Sequence, residues 1–152
     1  MKKFLLAIVA VLCVSAVSAQ QYQNSIGLRL GYGAELQYER HFSAENYLEA
    51  NLGLDGFGLD RIFLNATYNW NLCEWDWTPS AGKWFLSAGV GASAILAPKY
   101  FNVGVAGDVA FGIHFSGAPI TLAVDYRPTV FLLDNCWGDG FGSFGLSCTF
   151  RF

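Results

Sequence analysis

The chain has 152 residues, 53% of them hydrophobic and only 14% charged, with a formal net charge of −3 and a mean hydropathy of +0.33. An ordinary soluble domain carries about a quarter charged residues, and nothing here forms the basic patch that nucleic acid requires. The body of the chain also lacks a run of about 20 apolar residues, which excludes a membrane helix bundle. Its apolar residues must therefore be dispersed, as they are along the strands of a membrane β-barrel.

The first element is a leader. Lys2 and Lys3 precede an unbroken apolar stretch from Phe4 to Val14, and Val17-Ser18-Ala19 offers a small-residue cleavage site. The pattern predicts a cleavable signal peptide over 1–19 and a barrel domain over 20–152. The stretch is short for a transmembrane anchor. Cys13 sits inside the apolar stretch behind bulky Leu12, which argues against a lipoprotein site. Loss of Lys2 and Lys3 leaves seven basic residues against twelve acidic ones, a net charge of −5.

Eight segments of period-2 alternation follow, separated by turn residues. Strand one covers Ser25 to Tyr32 and strand two Ala34 to Phe42, with a turn at 43–46. Strand three covers Tyr47 to Asp55. In strand four Ile62, Leu64, Ala66, Tyr68, Trp70 and Leu72 alternate with Phe63, Asn65, Thr67, Asn69 and Asn71. Polar and turn-forming residues from Glu74 to Lys83 read as a turn. Strand five runs from Trp84 to Ala94, strand six from Phe101 to Phe115, strand seven from Ile120 to Leu132, and strand eight ends the chain at Phe152. An even number of strands of about 9–12 residues suits a closed sheet crossing a bilayer. The predicted fold is all-β: an eight-stranded antiparallel up-and-down transmembrane β-barrel.

The two faces set its polarity. One is continuous Leu, Val, Ile, Ala and Phe. The other mixes charged residues with Gly27, Gly31, Gly53, Gly89, Gly91, Gly104, Gly112 and Gly145. Long Lys and Glu side chains would be expected on a soluble exterior, whereas small residues beside large polar ones suit the narrow lumen of an eight-stranded barrel. A secreted lipocalin-type barrel is disfavoured for the same reason. Aromatics sort to the ends: Phe42, Tyr47, Trp70, Trp75, Trp77, Trp84, Phe115, Phe150 and Phe152 at one rim, and Tyr32, Phe57, Tyr100, Phe101, Trp137 and Phe141 at the other. Two aromatic girdles are expected at the two interfaces of a membrane.

The inward charges Arg29, Glu35, Glu39, Glu49, Asp108, Asp125, Arg127 and Arg151 are expected to form a lumenal polar network, with Asp55, His41 and His114 on the same face. Charge in such an interior has to be paired. Cys73, Cys136 and Cys148 are an odd set without a CxxC pair, and Cys73 and Cys136 fall at opposite ends, so no disulfide framework is expected. No GxxxxGK[ST], HExxH or GxSxG motif occurs, and no cofactor or metal site is expected.

Two resemblances add to this. Phe152, with Phe150 and Cys148 stepping back on one face, resembles the C-terminal strand signal by which outer-membrane barrels are recognised for assembly. The stretch from Ala118 to Pro128 (API TLAVDYRP), with Gly27 to Gly33 and Phe42 to Leu54, resembles the small OmpX-like outer-membrane barrels of Bacteroidota. The resemblance is diffuse over 25–152. It implies a fold and a bacterial outer-membrane location, and no activity. The expected partners are outer-membrane lipid, with the barrel-assembly machinery and periplasmic chaperones during biogenesis, and the chain is expected to be a monomer. His114-Phe115-Ser116 resembles the H-x-S pair of lipid A deacylases, but no Glu follows Ser116, and Asp125 faces inward. The expected role is structural or surface-interacting and non-enzymatic, ahead of a narrow channel and a lipid A-modifying enzyme.

Overall fold

The computed structural model describes residues 23–54, 61–98, 100–133 and 143–152. The predicted leader, Asp55, Phe57, Cys136, Trp137 and Phe141 lie outside the described residues.

Alternation produces strands wherever it was read. They are β1 (Asn24–Leu30), β2 (Ala34–His41), β3 (Asn46–Leu54), β4 (Ile62–Thr78), β5 (Gly82–Ala97), β6 (Tyr100–Phe115), β7 (Ile120–Arg127), β8 (Thr129–Phe131) and β9 (Ser143–Arg151). Every pairing is antiparallel. Each stave bonds to its neighbours in the chain, and β9 returns to β1, with Ser25 opposite Arg151 and Leu30 opposite Leu146. The sheet is thereby closed on itself, with no terminal strand left as an edge among the described residues.

β7 and β8 form a single stave. Both pair with β6 in one register, Val109 opposite Tyr126 and Gly104 opposite Phe131. The interruption falls at Pro128, which has no N–H to donate to the ladder. Its carbonyl still accepts the Gly107 N–H at 2.8 Å. The barrel thus has eight staves built from nine segments.

One expectation about β4 and β5 is corrected. The region from Glu74 to Lys83 is mostly strand, with the connection confined to a tight turn in which Ala81 N–H donates to the Thr78 carbonyl at 2.8 Å. The polar residues that read as a loop are tolerated because this hairpin reaches the rim. The alternation also reverses along β4. The register shifts between Asn71 and Cys73, so the extra residue Leu72 swings Cys73 and Trp75 outward, opposite Leu86 and Trp84. A bulge of one residue moves every later side chain to the other face.

The polarity is inside out. Along β7, Thr121, Ala123, Asp125 and Arg127 are buried while Leu122 and Val124 face outward. The same holds around the barrel: Arg29 is 0% exposed and Val124 53%. At the end where β1 starts and β9 stops, here called the terminal end, Trp75, Trp77, Trp84 and Phe111 form an outward cluster, with ring centroids 5.1 Å apart for Trp75–Trp77 and 5.4 Å for Trp84–Phe111. Tyr47 does not join them. It lies on the lumenal parity of β3, 5% exposed, with its hydroxyl 2.9 Å from Ser87 Oγ. In the other expected girdle, Tyr32 and Phe101 are both exposed.

Candidate lumenal site

Because residues of one parity from eight staves converge on a narrow interior, charges far apart in the sequence meet there. Arg29 on β1 is the first centre. Its Nη1 donates to Glu35 Oε1 at 2.6 Å, and its Nε and Nη2 both donate to Asp125 Oδ1, at 2.8 and 2.5 Å. Arg127 on β7 is the second. Its Nη1 donates to Glu35 Oε2 at 3.0 Å and its Nη2 to Glu49 Oε1 at 2.6 Å, while its Nε lies 3.6 Å from Asp108 Oδ1. Glu35 therefore holds both guanidinium groups, one on each oxygen. Residues of β1, β2, β3, β6 and β7 are tied into one network.

Glycine makes the space. A Cβ at Gly145 would lie 2.5 Å from Arg29 Cζ, and one at Gly53 would lie 2.5 Å from Glu35 Cγ. The large side chains lie flat against strands that carry no side chain at those points. Paired charges and hydrogen bonds are the condition for keeping such groups in a dry interior.

Nearer the terminal end a second layer forms. Glu39 accepts from Gln37 Nε2 at 2.8 Å and lies 3.2 Å from His41 Nε2, and the His41 ring stacks on Tyr47 at 5.0 Å. Glu39 is thus lumenal but belongs to this layer rather than to the arginine network. A partly open cavity of about 20 Å³ lies at this layer, lined in part by Glu39, Glu49 and Asp125. That holds about one water.

At the terminal mouth, His114 Nδ1 lies 2.8 Å from Thr121 Oγ1, and its ring stacks on Phe85 at 4.3 Å. Ser116 sits in the exposed turn beyond, where its N–H donates to the Ala81 carbonyl. The hydrogen-bond partner of His114 is therefore Thr121. Arg151 is at this rim too, its Nη2 donating to the carbonyls of Phe115 at 2.8 Å and Ala118 at 3.3 Å. It secures the turn before β7. At the opposite end the lumen is filled by Ile95 and Phe131, both buried, beside Asn102.

The eight residues expected in the network thus divide. Arg29, Glu35, Glu49, Asp108, Asp125 and Arg127 come together, while Glu39 and Arg151 occupy other levels. Sequence reasoning missed Tyr47 and Phe131 as lumenal groups, although each lies on the inward parity of its strand, whereas Phe85 falls inward with Ser87 as its alternation implies. Phe150 and Phe152 end β9 beside β1, where Phe152 N–H donates to the Asn24 carbonyl at 2.8 Å. Cys73 and Cys148 are exposed free thiols. Among the described residues no three His, Cys, Asp or Glu side chains are placed to hold one metal ion.

No known family model matches the sequence, and no curated protein is significantly similar to it. Solved structures do share the fold. A de novo designed transmembrane β-barrel superposes with a TM-score of 0.55 at 12% identity, over 88% of this chain and 98% of the design. The N-terminal β-barrel domain of OprF from Pseudomonas aeruginosa gives a TM-score of 0.55 at 12% identity, over 87% of this chain and all (100%) of that domain. At such identity the likeness is one of fold.

Proposed function

We propose that this chain is a small integral protein of the bacterial outer membrane, of the OmpX-like type found in Bacteroidota. It is exported by the 1–19 leader and has a non-enzymatic structural or surface-interaction role. The observation that carries the reading is the inverted polarity. An ion-paired lumen enclosed by a wall of exposed Leu, Val, Ile and Phe is stable only in an apolar solvent, and closed sheets are the β structures that satisfy every backbone group there. Resemblance to the C-terminal strand signal supports Phe150 and Phe152 as the mark read by the assembly machinery, after escort by periplasmic chaperones.

The packed lumen supports a structural role over a channel. Arg29 and Arg127 are 0% and 2% exposed, and Arg127 reaches Glu49 on the opposite stave, which supports a lumen without a wide polar path at their level. His114 turns its Nδ1 to Thr121 Oγ1, with no acidic residue on that nitrogen, which supports a non-enzymatic role. The test is separation of inner and outer membranes from expressing cells, with conductance recorded on the purified protein. The expected result is an outer-membrane band, trimmed by the leader's length, and a flat trace at high protein load. A periplasmic band, or steady single-channel steps, would overturn the reading.

A further inference from the structure

We infer that the outer wall of β2 to β5 binds one phospholipid, with its phosphate on Arg40 and one acyl chain in a trough across β3, β4 and β5. The inference rests on the membrane reading above and specifies one lipid of the leaflet on the terminal side.

The trough follows from register. Tyr38, Ala50, Ala66 and Ala92 stand opposite one another on four successive staves, and Leu36, Leu52, Leu64 and Ala94 form the next row. Elsewhere the wall projects mostly Leu, Val, Ile and aromatic side chains, with Ala88, Gly107 and Cys148 as separate small positions. Here three consecutive staves project only methyl groups, and the wall sinks into a trough of about 510 Å³ edged by Leu36, Tyr38, Leu64 and Val103. In hydrocarbon such a depression has to be filled, because a void forfeits dispersion contacts on one side.

Small residues alone would not select a lipid; the polar group at the end of the trough does. Arg40 lies two residues beyond Tyr38 on the same outward parity, beside the β2–β3 turn at the terminal rim, and is exposed. Its Nη1 donates to Asn24 Oδ1 at 2.7 Å, and the Tyr38 hydroxyl donates to that same oxygen at 2.9 Å. Tyr38 thus borders the trough and also fixes the oxygen that orients the guanidinium. A guanidinium has five N–H donors, so most remain to face outward, and among the described residues no carboxylate pairs with Arg40. Tyr68 and Trp70, in edge contact at 5.0 Å with Phe42 stacked on Tyr68, mark the same level as interfacial. A cation held at headgroup depth above an apolar trough is complementary to a phosphate with an acyl tail, and arginine takes phosphate in bidentate fashion.

The test is native mass spectrometry of the barrel refolded in detergent micelles doped with phosphatidylglycerol, or with diacylglycerol of the same chains. Folding is verified in each variant by the heat-dependent gel shift. The wild type is expected to retain one phosphatidylglycerol about tenfold more than diacylglycerol, as a charge-assisted contact implies. Arg40→Gln removes that preference, and Ala66→Leu with Ala92→Leu lowers retention of both lipids by filling the trough. Equal retention by wild type and Arg40→Gln, or unselective binding by the wild type, overturns the inference. If the wild type enters phospholipid vesicles yet shows no selectivity, only the lipid site falls. If it does not enter vesicles, the membrane reading falls with it.

Discussion

Replacing Arg127 by Met isolates the lumenal network in one step. Met keeps much of the aliphatic volume and removes the charge, so the loss is electrostatic rather than a cavity. Three carboxylates are affected. Glu49 loses its 2.6 Å partner, and Glu35 keeps only Arg29. Asp108, which has no hydrogen bond and is 1% exposed, loses its one ion-pair partner among the described residues. Removing one member of a buried ion pair costs about 3–5 kcal/mol, because the charge left behind stays desolvated. With an m-value of about 2 kcal/mol per M, the urea midpoint of the vesicle-embedded barrel should fall by about 2 M. Adding Glu49→Gln to Arg127→Met should restore part of that loss, since the second change removes a stranded charge; residues in one network are non-additive in this sense. The assay is tryptophan fluorescence against urea, for both single variants and the double. A midpoint for Arg127→Met within about 0.3 M of wild type, the size of an ordinary surface change, would refute the claim that the lumen is held by ion pairs.

Other consequences are sharp enough to measure. Gly145→Val sets a branched side chain where Arg29 Cζ would lie 2.5 Å from the new Cβ, so the temperature at which the folded band is lost should fall, while Gly117→Val, in open space, should leave it unchanged. Val124→Arg puts a charge on the outer wall and should cost about 2–4 kcal/mol if that wall meets hydrocarbon; no loss of stability would place the wall in water. Phe152→Ala should reduce the amount of barrel reaching the outer membrane in cells several-fold while refolding in vitro stays near wild type, and equal loss in both assays would make Phe152 a packing residue instead.

Much of this architecture could be read before any coordinates, because alternation with period two states which side chains share a face. Arg29, Glu35, Asp125 and Arg127 fall on the lumenal parity for that reason alone. Parity does not give depth, however. Arg151 and Glu39 share the face of Arg29 yet lie at other levels, since depth depends on the stagger of the closed sheet. Nor does parity survive a bulge: Leu72 is one extra residue, and with it Cys73 and Trp75 change sides. Pro79 and Ser80 carry turn chemistry, but the turn they form is only three residues long, so the strands on either side extend further than polar composition implies. Pro128 was equally visible and interrupts the ladder without ending the stave. The outer trough is hidden because Ala50, Ala66 and Ala92 lie in one row only once the register of two hairpins is known, and the pairing of Arg29 with Asp125 depends in the same way on closure of the sheet through β9.

The most direct test of the inside-out barrel is refolding from urea, into phospholipid vesicles or into plain buffer, followed by electrophoresis with and without boiling. The account predicts a band in the vesicle sample whose mobility changes on heating, and aggregation in buffer. A folded, soluble, monomeric species in buffer alone, with its ion-paired face exchangeable with water, would contradict it.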